Sequence, residues 1–566
     1  MAYSQEQVTA FEKARYGQDS ANNTSKVFPA DSTALIAGAN IDVSNQVGVE
    51  GEVGISVNPL NPLNIVATSN NNEDLSRMAT YFSDDGGTTW TTVFIDENQD
   101  GHGAAIRFDP NVAFDSDGNV YVVYSVNTGT TSHLMLAKST DGGNTYAQVT
   151  EVTTDPANSR LHTAMVTTRA DAHGADDVLV LWARVVTEEN IQAALSLDGG
   201  ATFPIVNNNI NDATQRTFLP WAVVDDAGDF HVAWEANLEG TSPDGRIFHD
   251  VLDGATLADG TDVAVSDIQI TDQFQATSKL PAQPDRGVWS TVTIDADRSG
   301  GPNDGRIYIS YTDRASTATD DTNIFVRFSD DGGCNWSCPI QINDDGGTTS
   351  QFLPRLALDQ TTGDVYAAWY DARNDAANNQ QVDIFTAVSV NGGTSWGPNE
   401  QLTTAQSDES MNNPLRDPNN YTEYMGLAAF GGAAFVGWTD ARAANFTTGN
   451  NEEIFFGQVS RAGKIADDKH DDNDKVVKGK HGHDILAGND GADVFAFRDN
   501  QTRNAMITDF DGFGDVVKMV DFGASFDPLA AVSATSPGTE LDLGGGNSVL
   551  LFRTAAEFSA DHFLFL

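Results

Sequence analysis

The chain has 566 residues with 81 acidic against 31 basic side chains, a formal net charge of −50, and a hydrophobic content of 40%. That length exceeds one ordinary core and points to two domains or a repeat architecture. The acidity argues against a nucleic-acid partner, and the absence of any run of 18 apolar residues excludes a helical membrane span.

The N-terminus, MAYSQEQVTAFEKARYG, lacks the basic-then-apolar pattern of a cleavable signal peptide. It reads as a short helix capped by Ser4, with Gln7 completing a capping box, inside a flanking segment 1–39.

From residue 40 to 463 one phrase recurs: FSDDGGTTW, KSTDGGNTY, LSLDGGATF, FSDDGGCNW and VSVNGGTSW. Its first three serines, Ser83, Ser139 and Ser196, stand 56 and 57 residues apart. Degenerate copies lie around Asp253 and Ser460. The phrase is built for a hairpin turn. Its Asp accepts backbone N–H groups, its glycines supply positive φ, and its aromatic packs between sheets. These are scaffold residues.

A strand, a tight turn and a second strand precede each phrase. The second strands end in Tyr124, Trp182, Trp234, Tyr311, Trp369 and Trp438. Inner strands centre near Ile55, Val112, Met165, Val223, Val292, Leu356 and Leu427, seven in all. The expected fold is therefore all-β, a seven-bladed β-propeller. A six-bladed ring is the alternative if the unit near Asp253 is an insertion. The last unit lacks an outer strand after Ser460, and the segment NIDVS (Asn40 to Ser44) could supply it and close the ring. Cys334 and Cys338, the only cysteines, could form one small disulfide loop or stay reduced.

The Ser-x-Asp-x-Gly-x-Thr-Trp turn resembles the Asp box of sialidases and related bacterial propellers, and YDARND, WTDAR and EYMGLAA resemble the secreted sialidase-like subgroup. The resemblance covers about residues 50–460. It implies that loops entering inner strands and leaving second strands share one face, with the Asp boxes opposite. Arg107, Arg160, Arg216, Arg286, Arg355 and Arg416 then fall on the first face, together with Glu235 and the pairs Asp313–Arg314, Asp371–Arg373 and Asp440–Arg442. Arginine forks suit a carboxylate or sulfate; such pairs can equally tie loops together.

Sialidases use a Tyr activated by Glu, an arginine triad and an acid/base Asp. The resemblance implies Tyr421 with Glu423 as nucleophile and base, with Tyr424 beside them. It implies Asp371 as acid/base and Arg286, Arg355 and Arg416 as the triad. The chain departs from the family: the Arg-Ile-Pro motif is absent, the first inner strand reading EGEVGISVN.

Composition shifts at Lys464. After a charged linker come two nonapeptides in phase, GKHGHDILA and GNDGADVFA. They match the G-G-x-G-x-D-x-U-x calcium repeat. Gly479, Gly482 and Asp484 form one set; Gly488, Asn489, Asp490, Gly491 and Asp493 form the other. Glycine-turn carbonyls and Asp oxygens suit Ca2+, a hard cation wanting six to eight oxygens. The remainder, with Asp509, Asp511 and Asp515 and the ending FLFL, resembles the terminus of RTX proteins. This implies that 464–566 is a small RTX-type β-roll or β-sandwich domain that engages a type I secretion machinery, and a secreted, extracellular or cell-surface location.

The expected function is a calcium-binding glycoside hydrolase acting on acidic glycans. The alternative is a non-catalytic glycan- or polysaccharide-binding matrix protein. A calcium-dependent phosphate-ester hydrolase is a third reading.

Overall fold

The structure is a computed structural model. It describes most of residues 33–461, leaving out among others 156–159, 170–175, 238–244, 258–266, 272–277, 410–420 and 443–451. Beyond 461 it describes little more than the strands given below. The expected N-terminal helix lies outside the described residues.

Seven four-stranded antiparallel sheets form the ring. Their inner strands are Glu50–Asn58, Ile106–Phe114, Arg160–Arg169, Arg216–Val224, Thr293–Ala296, Gln351–Asp359 and Gly426–Phe430, here numbered blades 1 to 7. Each inner strand meets the next, and Glu50–Asn58 touches both Ile106–Phe114 and Gly426–Phe430. The ring is thereby closed. The six-bladed alternative falls, because the unit near Asp253 is a full blade whose third strand is Gly245–Leu252.

Blade 7 takes its outermost strand from the beginning of the chain. Leu35–Asp42 lies beside Glu453–Arg461, which lies beside Ala433–Asp440 and then Gly426–Phe430. The backbone N–H of Val43 continues the pairing by donating to Ile454 O at 2.8 Å. This is the closure expected from NIDVS.

The Asp boxes are turns held by their own side chains. In blade 1, Ser83 Oγ accepts from Gly87 N–H at 2.9 Å and donates to Asp85 at 2.8 Å. Asp85 also accepts from the Thr89 backbone N–H at 2.8 Å and its hydroxyl at 2.7 Å. Blades 2, 3 and 5 repeat the pattern around Asp141, Asp198 and Asp331, and blade 6 repeats it with Asn391. Bonds from the Asn335 side chain and backbone and from Ser329 hold the Asp331 carboxyl below its ordinary range. The acids are thus spent on the turn. Cys334, inside one such turn, and Cys338 are exposed and carry free thiols.

Between blades the second-strand aromatics fill the core. Trp182, Trp234, Trp369, Trp438 and Tyr124 are fully buried, and Tyr311 nearly so. Trp182, Trp234, Tyr124, Tyr311 and Trp369 rest in clusters of apolar side chains that span neighbouring sheets; Trp369, for instance, shares its cluster with Ile324, Val326 and Leu356. Large aromatics suit this wedge because they bury much apolar area on few rotatable bonds.

The chain from Ser460 to Leu566 belongs to a second compact unit. Val476–Lys478, Val494–Arg498, Val516–Val520 and Phe563–Phe565 pair in parallel in one sheet. Ile485–Leu486, Ala505–Ile507 and Asn547–Leu551 pair in parallel in another, extended antiparallel by Thr539–Gly544 and Val532–Ala534. The chain visits the two sheets alternately from 476 to 516. The glycines and acids expected to bind calcium lie outside the described residues. Among the described residues no helix is long and apolar enough to cross a membrane.

Candidate functional site

In an antiparallel four-stranded blade, the start of the inner strand and the end of the second strand lie at one end of the sheet. The turn after the third strand, the Asp box, lies at the other. The Asp-box-free face is therefore built by the loops that carry the arginines and carboxylates.

Among the described residues, three of those arginines are consumed locally. Arg107 is fully buried, bonds both oxygens of Asp100 at 2.7 and 2.8 Å, and donates to the carbonyls of Ser76 and Ala105. Arg373 bonds Asp371 and Asp344, each at 2.7 Å. Arg442 bonds Asp440 at 2.7 Å. These pairs tie loops. Asp371, expected as the acid/base, is fully buried and accepts from Trp369 Nε1, Gln351, and both the backbone and guanidinium of Arg373. It anchors a loop and does not face a cleft.

Tyr421 is also in the core. It is fully buried, with its ring centroid 4.6 Å from that of Tyr370 and 6.1 Å from that of Phe352. Burial, reinforced by the negative charge of Glu409 and Asp440, pushes its phenol well above the ordinary value. A nucleophile needs the opposite shift and an open approach. Glu423 is half-buried two residues on. Arg286 lies in the strand Gln283–Val288, its side chain outside the described residues, and Arg416 lies outside them altogether. Of the expected triad, Arg355 alone can be placed.

Arg355 is placed by a bulge. The inner-strand ladders shift register between Phe108 and Asn111, His162 and Met165, Phe218 and Trp221, and Phe352 and Arg355. Within these shifts Asp109, Leu219 and Leu353 take left-handed φ of 53°, 49° and 51°, and a proline follows each. A bulge re-aims the side chain that follows it. In blades 4 and 6 those side chains are Trp221 and Arg355, and they meet. The Arg355 guanidinium carbon sits 3.3 Å from the Trp221 ring centroid. Arg355 is 7% exposed, and its buried Nη1 has no hydrogen-bond partner. Burial lowers its pKa to about 9, with Tyr424 and Asp295 acting in the other direction. Tyr424 is held nearby, its hydroxyl donating to Pro110 O at 3.0 Å. Trp221 keeps part of its surface open.

Glu235 lies on the same sheet face as Trp221. Trp221 stands opposite Ala233 in the ladder, and Glu235 is two residues along that strand. The Glu235 carboxyl is fully buried, and its Oε2 accepts from the Ser290 N–H at 3.1 Å and hydroxyl at 2.6 Å. Burial outweighs these bonds and raises its pKa to about 7. The native state therefore binds this proton more tightly than the unfolded chain does. The contribution is fully present below pH 4.5 and is lost as pH rises from 4.5 through 7, on the order of 3 kcal/mol. Glu235→Gln is expected to remove that loss. Urea unfolding at pH 5 and pH 8 should show wild type weakening relative to the variant; equal pH dependence in both would contradict it.

Sequence reasoning missed Trp221, although LPW and LPR at the head of two inner strands are a visible parallel. No protein-family model matches this chain, and no curated relative does. Solved structures match it at a distance. The family 93 α-L-arabinofuranosidase of Fusarium graminearum, in complex with arabinobiose, is 12% identical over 75% of this chain and 98% of its own, with a TM-score of 0.39. The α-L-arabinanase of Penicillium chrysogenum, also with arabinobiose, is 11% identical over 74% and 98%, with a TM-score of 0.38. A family 25 polysaccharide lyase, an ulvan lyase, is 10% identical over 74% and 95%, with a TM-score of 0.43. The similarity is distant.

Proposed function

We propose that the ring takes an anionic saccharide at its Asp-box-free end, through Arg355 and Trp221. The observation that supports this reading is the buried guanidinium. In a chain of net charge −50, Arg107, Arg373 and Arg442 of this face each have a carboxylate partner, whereas Arg355 lies on an indole with Nη1 unbonded. A carboxylate or sulfate would satisfy that donor, and an indole is a platform for a sugar ring. A screen of sulfated, uronate and neutral oligosaccharides tests it. Retention of the anionic class, lost in Trp221→Ala, is expected; equal retention of neutral sugars would count against it.

A second, hydrolytic reading rests on the place of Glu235, whose carboxyl, raised by burial to about 7, lies on the sheet face of the partly open Trp221. Being fully buried, it would act as a general acid only where substrate binding opens that face. Turnover that vanishes in Glu235→Gln while binding persists would support catalysis, and unchanged turnover would refute it.

For the C-terminal unit we infer calcium binding and export by a type I route. Strands beginning at 476, 485 and 494 repeat every nine residues, in step with the glycine and aspartate repeats. When bound, the ion would be held by Asp484, Asp490 and Asp493 with the carbonyls of Gly479, Gly482, Gly488, Asn489 and Gly491, and would neutralise acids that otherwise repel. Millimolar calcium is expected to raise the melting temperature of this unit and a chelator to reverse it. Identical melts in both would contradict the assignment.

A further inference from the structure

We propose that His102, His133 and Glu151 form a binding site for one first-row transition metal ion, with Zn2+ the natural occupant. The three residues come from separate parts of blade 2. His133 is on the third strand, Ser132–Ser139, and Glu151 on the outer strand, Gln148–Asp155. His102 follows the short helix Glu97–Asp100. One ligand atom from each lies within 4.8 Å of the other two.

The distances separate a metal site from a hydrogen-bonded cluster. His102 Nε2 is 3.6 Å from Glu151 Oε2, and His133 Nδ1 is 3.5 Å from Glu151 Oε1. Both are too long for a hydrogen bond. Ligands about 2.1 Å from a tetrahedral ion stand about 3.4 Å apart, so both fit two groups sharing one. The buried His102 Nε2 accordingly has no hydrogen-bond partner. The imidazoles lie side by side, their centroids 3.9 Å apart and their planes tilted by 35°, and each turns one nitrogen toward the same carboxylate.

The supporting structure is specific. The outer ladder shifts register between Leu134 and Met135, so His133 faces Thr154 while Met135 faces Glu151. That bulge puts Glu151 on the same sheet face as His133; an unbroken ladder would turn it to the other. His133 Nε2 lies 2.8 Å from Thr131 Oγ1, a contact that leaves Nδ1 for the metal, although Thr154 Oγ1 is also 3.2 Å from Nδ1. The His102 backbone N–H donates to Asp100 at 3.0 Å, and Asp100 is clamped by Arg107. Two imidazoles and one carboxylate are a donor set typical of zinc, with a fourth position left open.

The test uses the full chain, stripped by chelator and returned to excess calcium so that oxygen-rich sites are filled. Zn2+ is titrated against a chromophoric chelator, and Co2+ is titrated with its visible spectrum recorded. One equivalent of tight binding and an intense four- or five-coordinate Co2+ band are expected. Glu151→Gln, nearly isosteric, and His102→Ala should each lose the band and weaken Zn2+ binding at least about a hundredfold. Absence of tight binding in wild type would overturn the proposal. So would unchanged binding in either variant with a wild-type melting curve.

Discussion

A chain shortened to begin at Asn45 is expected to lose the cooperative thermal transition of the ring. The truncation removes the strand that completes blade 7 and leaves the edge of Glu453–Arg461 open. It deletes the Val43 N–H bond to Ile454 O and the 2.8 Å bond from Ser44 Oγ to Glu453. It also deletes Asn40, which donates to Leu402 O at 3.0 Å and accepts from Arg442 at 2.9 Å. Val43 is buried, and Ile41 packs beside it on a cluster containing Val53, Tyr81 and Phe456. At about 1 kcal/mol per hydrogen bond and about 2 kcal/mol per buried aliphatic side chain, the loss is comparable to the net stability of a whole domain. Calorimetry and limited proteolysis of the truncated chain would show it. A melting temperature within about 3 °C of wild type would contradict the closure.

Gly333→Ala is expected to cost about 4 kcal/mol, near the upper end for a single substitution. Gly333 has a φ of +85°, and a Cβ there would stand 2.1 Å from His249 Cε1 and 2.5 Å from Nδ1. The imidazole cannot swing clear. Its Nε2 is 3.0 Å from His231 Nδ1, and His231 Nε2 is 3.2 Å from Asp225. Trp336 meets the ring edge-on with centroids 5.6 Å apart. Gly300→Ala is the control. Gly300 also has positive φ, at +67°, but a Cβ there meets nothing within 4 Å. It should lose only the backbone contribution, about 1 kcal/mol. Equal losses in urea unfolding would show that contact between blades is not the cause.

The features legible in the sequence were those fixed within a few residues. Ser83, Asp85, Gly87 and Thr89 close a turn among themselves, so their recurrence marked the blades without knowledge of the rest. The need for an outer strand in blade 7 followed from strand bookkeeping, and Leu35–Asp42 fills it. Asp371 and Arg373, two residues apart, could be read as a loop tie, and they form one.

Contacts between distant blades were not legible. RDPNNYTEYMG contains a Tyr and a Glu two apart, but spacing does not tell which way a loop turns its ring, and Tyr421 turns into the core against Tyr370 and Phe352. Trp221 and Arg355 meet because two bulges in non-adjacent blades aim their side chains at one another. His102, His133 and Glu151 follow no ligand motif, and a one-residue bulge sets the face on which Glu151 emerges.

The reading that matters most is the role of Arg355, and a titration calorimeter tests it directly. A trimeric oligouronate and its methyl ester differ only in charge and can be titrated into wild type and Arg355→Lys. Wild type should bind the free acid at least about tenfold more tightly than the ester, since a charge-assisted fork adds at least about 1.4 kcal/mol. The lysine variant keeps the charge but not the planar fork stacked on Trp221, so it should lose most of that preference while leaving ester binding unchanged. Equal affinity for acid and ester, or a preference that survives in Arg355→Lys, would contradict the account.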